Sequence, residues 1–192
     1  MVRRPSTTRR QQILEAAAPL FAERGFRGVS VDDLGAATGI SGPALYRHFR
    51  AKEEILAELL LGVSQRLLEG GRRRHAVAGS PAAALEALVD WHVAFALDNP
   101  DVITVQAREL PNLPLPARRA VRSLQHRYIA LWAEVVEVLT GCQRETAVAA
   151  AHAAFGLMNS TPHSARLPRA EMAALLRAMA LACLHLQAPG AA

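Results

Sequence analysis

Aromatic residues make up only 5% of this 192-residue chain, and it has just two cysteines. Cys142 and Cys183 lie far apart in apolar text, with neither the spacing of a metal site nor that of a disulfide framework, and are expected to be buried thiols. No apolar run approaches the ~20 residues that would cross a bilayer. The start, Met1-Val-Arg-Arg-Pro-Ser, is basic and polar, unlike a secretory leader, so a cytoplasmic protein without a membrane partner is expected. β-branched residues are few while alanine and leucine dominate, which disfavours strands. Catalytic patterns are missing as well. The chain has no Gly-Xaa-Ser-Xaa-Gly elbow, phosphate loop, dinucleotide glycine pattern or Glu-Xaa-Xaa-His pair, and its seven histidines never fall at i, i+4 with a partner on one helix face. Neither an enzyme, nor a metal site, nor a cofactor is expected.

What the chain does have is an uneven distribution of charge. Residues 1–52 hold nine Lys and Arg against four Asp and Glu, a net +5, which is the net charge of the whole chain; the remainder holds thirteen of each. The basic excess suits contact with phosphate. A solvated tail built on Arg3, Arg4, Arg9 and Arg10 is the plainer alternative, so charge alone does not decide.

The same segment contains Ser30-Val-Asp-Asp-Leu-Gly-Ala-Ala-Thr-Gly-Ile-Ser-Gly-Pro-Ala-Leu-Tyr-Arg-His-Phe49, followed by Arg50-Ala51-Lys52. Ser30 suits the N-cap of one helix, with Asp33 as the capping-box acid, and Gly39 suits its left-handed end. Ser41 caps a second helix, whose first turn holds Pro43, where a missing N–H costs little. Val31, Leu34, Ala37, Ile40, Leu45 and Phe49 form one apolar side. The other side of the second helix presents Gly42, Pro43, Ala44, Arg47 and the polar tips of Tyr46 and His48. This reads as a helix-turn-helix, with one buried edge and one bare, weakly basic edge fit for a DNA groove.

Roles follow from the residue types. Arg47 is long enough to grip a guanine edge in a bidentate way, and Gly42, Pro43 and Ala44 would offer van der Waals contact to bases. Tyr46 and His48 can donate to phosphate oxygens, the plain alternative being that they cap the bundle core. Lys52 opens the next helix, where its ammonium and the free backbone N–H groups suit one phosphate. Ser41 and Arg9 complete the candidate contacts with double-stranded DNA.

This stretch resembles the DNA-binding signature of the TetR family of bacterial transcriptional regulators. The matching residues are Phe21 to Gly25, Ser30 to Leu34, Gly39-Ile40-Ser41, and Leu45 to Phe49 with Lys52, within about a quarter of the chain. The resemblance implies a ligand-responsive homodimer on a palindromic operator, more often a repressor, with a small-molecule cavity in a helical body and dimerisation through the last two helices. A likeness to actinobacterial members linked to fatty-acid or acyl-CoA metabolism implies a largely hydrophobic effector.

Apolar spacing predicts an all-α chain of about nine helices. The first runs from Thr8 to Arg24, bent at Pro19, whose missing N–H costs about 3 kcal/mol in an unsupported helix. With the motif it makes a three-helix bundle over residues 1–51, preceded by a flexible arm at 1–7. Residues 52–192 form a larger body. Its long first helix is expected to end between Gly70 and His75, and others cover Pro81–Asn99, Val102–Leu110, Ala117–Thr140, Gln143–Asn159 and Ala170–Gln187. The polar stretch Met158–Ser164 is expected to be a turn.

In the body, Trp91, His92, Phe95, Gln106, Arg108, His126, Tyr128, Trp132, Phe155 and Asn159 are candidates to line an apolar cavity with a few polar anchors. Aromatics at helical spacing are more often plain core, about two to one for any single residue. Ala147, Ala150, Ala151 and Ala154, with Leu175, Leu176, Met179 and Cys183, give apolar faces for a four-helix homodimer interface or for ordinary core packing, and the residues leave that open. The competing functional class is a helical carrier or sensor of hydrophobic small molecules whose basic head binds a protein.

Overall fold

A computed structural model of the chain describes residues 8–185. The expected arm at 1–7, the end of the last helix at Gln187 and the fraying expected past Pro189 lie outside the described residues. These residues are helical, with no strand among them. The elements are α1 (Arg9–Gly28), α2 (Val31–Thr38), α3 (Gly42–Leu45), α4 (Lys52–Val77), α5 (Pro81–Asp98), α6 (Pro100–Glu109), a 3₁₀ turn (Leu110–Asn112), α7 (Leu115–Thr140), α8 (Arg144–Met158), α9 (Thr161–Ser164) and α10 (Arg169–Leu184). They group into two compact units, residues 1–63 with 101–121, and residues 64–100 with 122–192.

In the first unit, Thr8 caps α1 by accepting the Gln11 N–H at 3.2 Å. Helical backbone continues through Pro19, and the interruption falls at Gly25, where φ is 73°. Ile13, Ala17 and Phe21 of α1 are fully buried, as are Leu34 and Leu45 of the motif. The capping box forms as its residues suggest: Ser30 Oγ accepts the Asp33 N–H at 3.0 Å, and Asp33 Oδ2 accepts the Ser30 N–H at 2.7 Å. Gly39 ends α2 in the left-handed conformation. Arg10, read from sequence as part of a basic tail, turns inward. Its guanidinium lies 4.1 Å from the Phe49 ring centroid and pairs with Glu54 and Glu58 at the start of α4, while Nη1 donates to the His48 carbonyl.

In the second unit, α4 does not stop at Gly70-Gly71 but continues to Val77. The two glycines serve as contact points. A Cβ at Gly70 would lie 2.3 Å from the Trp91 ring, and one at Gly71 would lie 2.7 Å from Tyr128 Cε2. Omitting both side chains lets α4 take an aromatic from α5 and another from α7 against its own backbone, and that packing outweighs the ~1 kcal/mol propensity cost of each glycine. The polar stretch after α8 carries a single turn of helix, α9, where a plain turn was expected. Thr161 anchors it by donating to the Ala96 carbonyl at 2.9 Å, and the Ser160 and Ser164 hydroxyls meet at 2.8 Å. Arg177 of α10 bridges Glu86 and Asp90 of α5, and Arg169 bridges Asp98. Cys142 and Cys183 are half-buried free thiols rather than fully buried ones.

Candidate nucleic-acid interface and effector core

The motif's second helix is shorter than its text suggests. It is α-helical over Gly42–Leu45 and continues to Phe49 in tight turns, with Arg47 N donating to Ala44 O and His48 N to Leu45 O. Ser41 caps it, its Oγ accepting from Ala44 N at 3.4 Å. Ser41, Pro43, Tyr46 and Arg47 face solvent, and Ala44 and His48 are half-buried. Tyr46 stays 53% exposed although its ring is large and apolar, and the Arg47 guanidinium has no hydrogen-bond or ionic partner among the described residues. An exposed phenol beside an uncommitted guanidinium on a short helix can address phosphate and base edge together. Arg9 is exposed, and its Nη1 donates to the Thr38 carbonyl at 3.2 Å, at the end of α2.

Two candidate contacts are placed differently from the sequence reading. Gly42 is buried rather than presented outward, and a Cβ there would come within 2.5 Å of Asp32 Oδ1. Lys52 points inward. Its Nζ donates to the carbonyls of Phe26 at 2.7 Å and Val29 at 2.5 Å, and lies 4.4 Å from the Phe26 ring centroid. These carbonyls are released where α1 ends, so the ammonium satisfies groups that no helix can. Lys52→Met, which keeps the stem and loses the donor, is expected to lower stability by about 1–3 kcal/mol in urea unfolding. The salt dependence of DNA binding should stay the same, whereas loss of a phosphate contact would reduce the slope by about one.

In the second unit a polar-centred aromatic cluster forms around His92 of α5, which is 3% exposed. His92 Nε2 lies 3.0 Å from Asn159 Oδ1, and Nδ1 lies 3.4 Å from the Tyr128 hydroxyl. One neutral tautomer satisfies both bonds, with Nε2–H donating and Nδ1 accepting. Burial pushes the His92 pKa down to about 4 and the Tyr128 hydroxyl up, so both are uncharged near neutrality. The rings of Phe95, Tyr128, Trp132 and Phe155 surround the imidazole at centroid distances of 6.2, 5.9, 6.0 and 4.8 Å. Trp132 is fully buried, and the Tyr128 hydroxyl beside it, which donates to His92 Nδ1, keeps a lone pair for the indole N–H.

This cluster unites six of the ten candidate cavity residues: His92, Phe95, Tyr128, Trp132, Phe155 and Asn159. Trp91, Gln106, Arg108 and His126 are not part of it. Trp91 donates Nε1–H to the Leu67 carbonyl at 3.2 Å under the Arg74 guanidinium. Arg108 belongs to the first unit, where its Nη2 is 3.8 Å from the buried Glu109 carboxylate, beside the Gly25 break in α1. His126 is exposed on α7. Glu109, held by Asn112 Nδ2 at 2.7 Å, had no signal in the sequence, because a lone glutamate at a helix end ordinarily faces water. A separate open cleft of about 310 Å³ is lined by His75, Ser80, Glu134, Val135 and Val138.

Of the residues read as a pairing face, Ala147, Ala151 and Ala154 are fully buried within the chain, where α8 packs on α10 and α5. Leu175 and Met179 remain 43% and 46% exposed on α10, and Cys183 is half-buried. Among the described residues, no cluster of His, Cys, Asp or Glu is arranged to hold a metal ion, and no helix is long and apolar enough to cross a membrane.

Two family models match. Residues 13–59 fit the model described as bacterial regulatory proteins, tetR family, and residues 78–163 fit the tetracyclin repressor-like C-terminal domain. The HTH-type transcriptional repressor KstR2 of Rhodococcus jostii is 35% identical over 132 residues, covering 67% of this chain and 64% of that protein. The chain thus spans just under two thirds of that relative's length, and only 28% of the 49%-identical KstR2 of Mycobacterium tuberculosis. Among solved structures, the TetR family transcriptional regulator PfmR from Thermus thermophilus superposes with a TM-score of 0.77 at 28% identity, over 90% of this chain and 97% of that one.

Proposed function

The chain belongs to the TetR family of bacterial regulatory proteins, and from that premise we propose that it is a homodimeric, cytoplasmic repressor that leaves a palindromic operator when a largely hydrophobic small molecule binds its body. The observation that carries the DNA half is the outward face of α3 and the turn that follows it, where Tyr46 is exposed and the Arg47 guanidinium is uncommitted. Arg47 reads a base edge. Tyr46, His48, Ser41 and Arg9 hold the phosphate backbone, and Pro43 and Ala44 pack against bases. With so few direct readers, much of the specificity rests on DNA shape. The repressor role follows the kinship with the Rhodococcus jostii repressor.

So small a reader needs two copies on half-sites about 34–36 Å apart. The exposed Leu175 and Met179 of α10 supply an apolar face for that pairing. The effector half is supported by the uncharged aromatic cluster around His92, whose chemistry suits an acyl-CoA or fatty-acid-like molecule better than a sugar or an ion. Coupling runs through α4, a continuous helix from Lys52 to Val77, and its strength equals the effector's preference for the released conformation.

A gel shift with the DNA upstream of the protein's own gene tests this reading. Salt-sensitive binding to an inverted repeat is expected, and Arg47→Ala should weaken it by about 1–3 kcal/mol, tenfold or more, while relaxing the preference at one base position per half-site. Absence of salt-sensitive binding to any inverted repeat would instead favour a small-molecule carrier with a protein-binding head.

A further inference from the structure

Asp32 is a carboxylate that the fold leaves unpaired beside the reading helix. It is exposed in the first turn of α2, and no hydrogen bond or ion pair engages its side chain among the described residues. Its neighbour Asp33 holds the structural role. Asp33 closes the capping box with Ser30 and pairs with Arg24 Nη1 at 3.3 Å. Asp32 adds to α2 only a negative charge near its positive end, which Asp33 already supplies.

The carboxylate nevertheless has a defined place. A Cβ on Gly42 would stand 2.5 Å from Asp32 Oδ1 and 3.7 Å from its Cγ, so the oxygen fills the space that a side chain at position 42 would take. Gly42 is the first residue of α3, and Ser41 and Pro43 on either side of it face solvent. In a helix-turn-helix the N-terminal residues of the reading helix meet base edges. Asp32 therefore stands at the end of α3 that enters the groove, within the segment that carries the whole net charge of +5. Toward phosphate an acid at this place is repulsive whatever the sequence. Toward base edges it is selective.

A carboxylate can only accept. In the major groove cytosine offers its N4 amino group, whereas guanine presents the acceptors O6 and N7, thymine presents O4, and adenine sets the acceptor N7 beside its N6 amino group. We propose that Asp32 is a second base reader, supplied by α2 beside Arg47, which accepts from a cytosine amino group and excludes guanine at one position of each half-site. The proposal rests on the DNA-binding reading above and sharpens it, since that reading leaves base selection to Arg47 and DNA shape.

Selection of bound duplexes from a random-sequence pool by the full-length chain, with the parent, Asp32→Ala and Asp32→Asn compared, tests this. The parent should enrich cytosine at one position per half-site, and guanine placed there should weaken binding about tenfold. Asp32→Ala should lose that preference and keep the guanine preference assigned to Arg47. Asp32→Asn keeps the shape but gains a donor, so the position should shift toward adenine, whose N6 and N7 an amide meets together. Both variants should bind non-specific DNA several-fold more tightly, because a charge repelling phosphate has gone. A purely structural role would instead lower binding to all sequences alike and leave the preferences in place. Unchanged preferences in both variants overturn the proposal, as does a uniform loss of affinity. A parent without salt-sensitive binding to any duplex defeats the DNA-binding reading itself, so the two failures are told apart.

Discussion

Alanine in place of Gly35 is expected to abolish operator binding and to destabilise the DNA-binding head by about 2–3 kcal/mol. Helix propensity alone argues the reverse, since alanine in the middle of α2 should be worth up to ~1 kcal/mol over glycine. Space decides the sign. A Cβ at position 35 would stand 2.6 Å from the Ile40 carbonyl oxygen, 3.4 Å from Gly42 N and 3.5 Å from Ser41 C, all of them backbone atoms that cannot rotate away. The same turn carries the bond from Ile40 N to Gly35 O at 3.0 Å. Relieving the clash moves α3 off α2 and takes Tyr46 and Arg47 with it. Urea unfolding and a gel shift on Gly35→Ala test this, and a variant as stable as the parent with full DNA binding would show that the turn absorbs the methyl group.

Acid should weaken the second unit through His92. The folded value of about 4 lies below the 6.5 of the free side chain, so between these values the unfolded chain binds more protons than the folded one. The stability from keeping His92 neutral is therefore complete above about pH 6.5 and is lost as pH falls toward 4, a change of about 3 kcal/mol over the window. Carboxylates held in their charged form add to the acid sensitivity. Asp33, bonded by the Ser30 hydroxyl, and Glu54, bonded by the Arg50 backbone N–H, are both held below the usual carboxylate range. Unfolding midpoints measured at pH 7.5 and 4.5 should therefore differ far more for the parent than for His92→Gln, which can keep a hydrogen bond to Asn159 but does not titrate. An equal drop in both proteins would place the acid sensitivity elsewhere.

What could be read from residues alone was local. Ser30 with Asp33, Gly39 and Ser41 each act within four residues of themselves, and all three features form as their chemistry suggests. The helical periods of α1, α5, α7 and α8 likewise reflect one face packed inward. The differences arose where a side chain had two comparable uses. Lys52 could serve a phosphate or free carbonyls, and the two carbonyls at the end of α1 are neighbours only in space. Arg10 could belong to a solvated tail and Arg108 to a ligand cavity, until Glu54, Glu58 and Glu109 came within reach. The Gly70-Gly71 pair read as a helix stop because a partner that needs the missing Cβ leaves no local mark.

The sequence by itself determined the class of this protein. Alanine- and leucine-rich text at helical spacing, a basic first quarter and a capped helix-turn-helix lead to an all-α chain with a DNA-binding head, because caps, periods and charge are properties of neighbouring residues, and the TetR family followed from the likeness of that motif. Tertiary structure alone decided which groups are free to act. Arg47 and Tyr46 remain outward while Lys52 and Gly42 turn in, and of many scattered aromatics it is Tyr128, Trp132 and Phe155 that meet around His92. Burial and hydrogen-bond satisfaction depend on residues dozens of positions apart, and a linear pattern does not encode which of them arrive first.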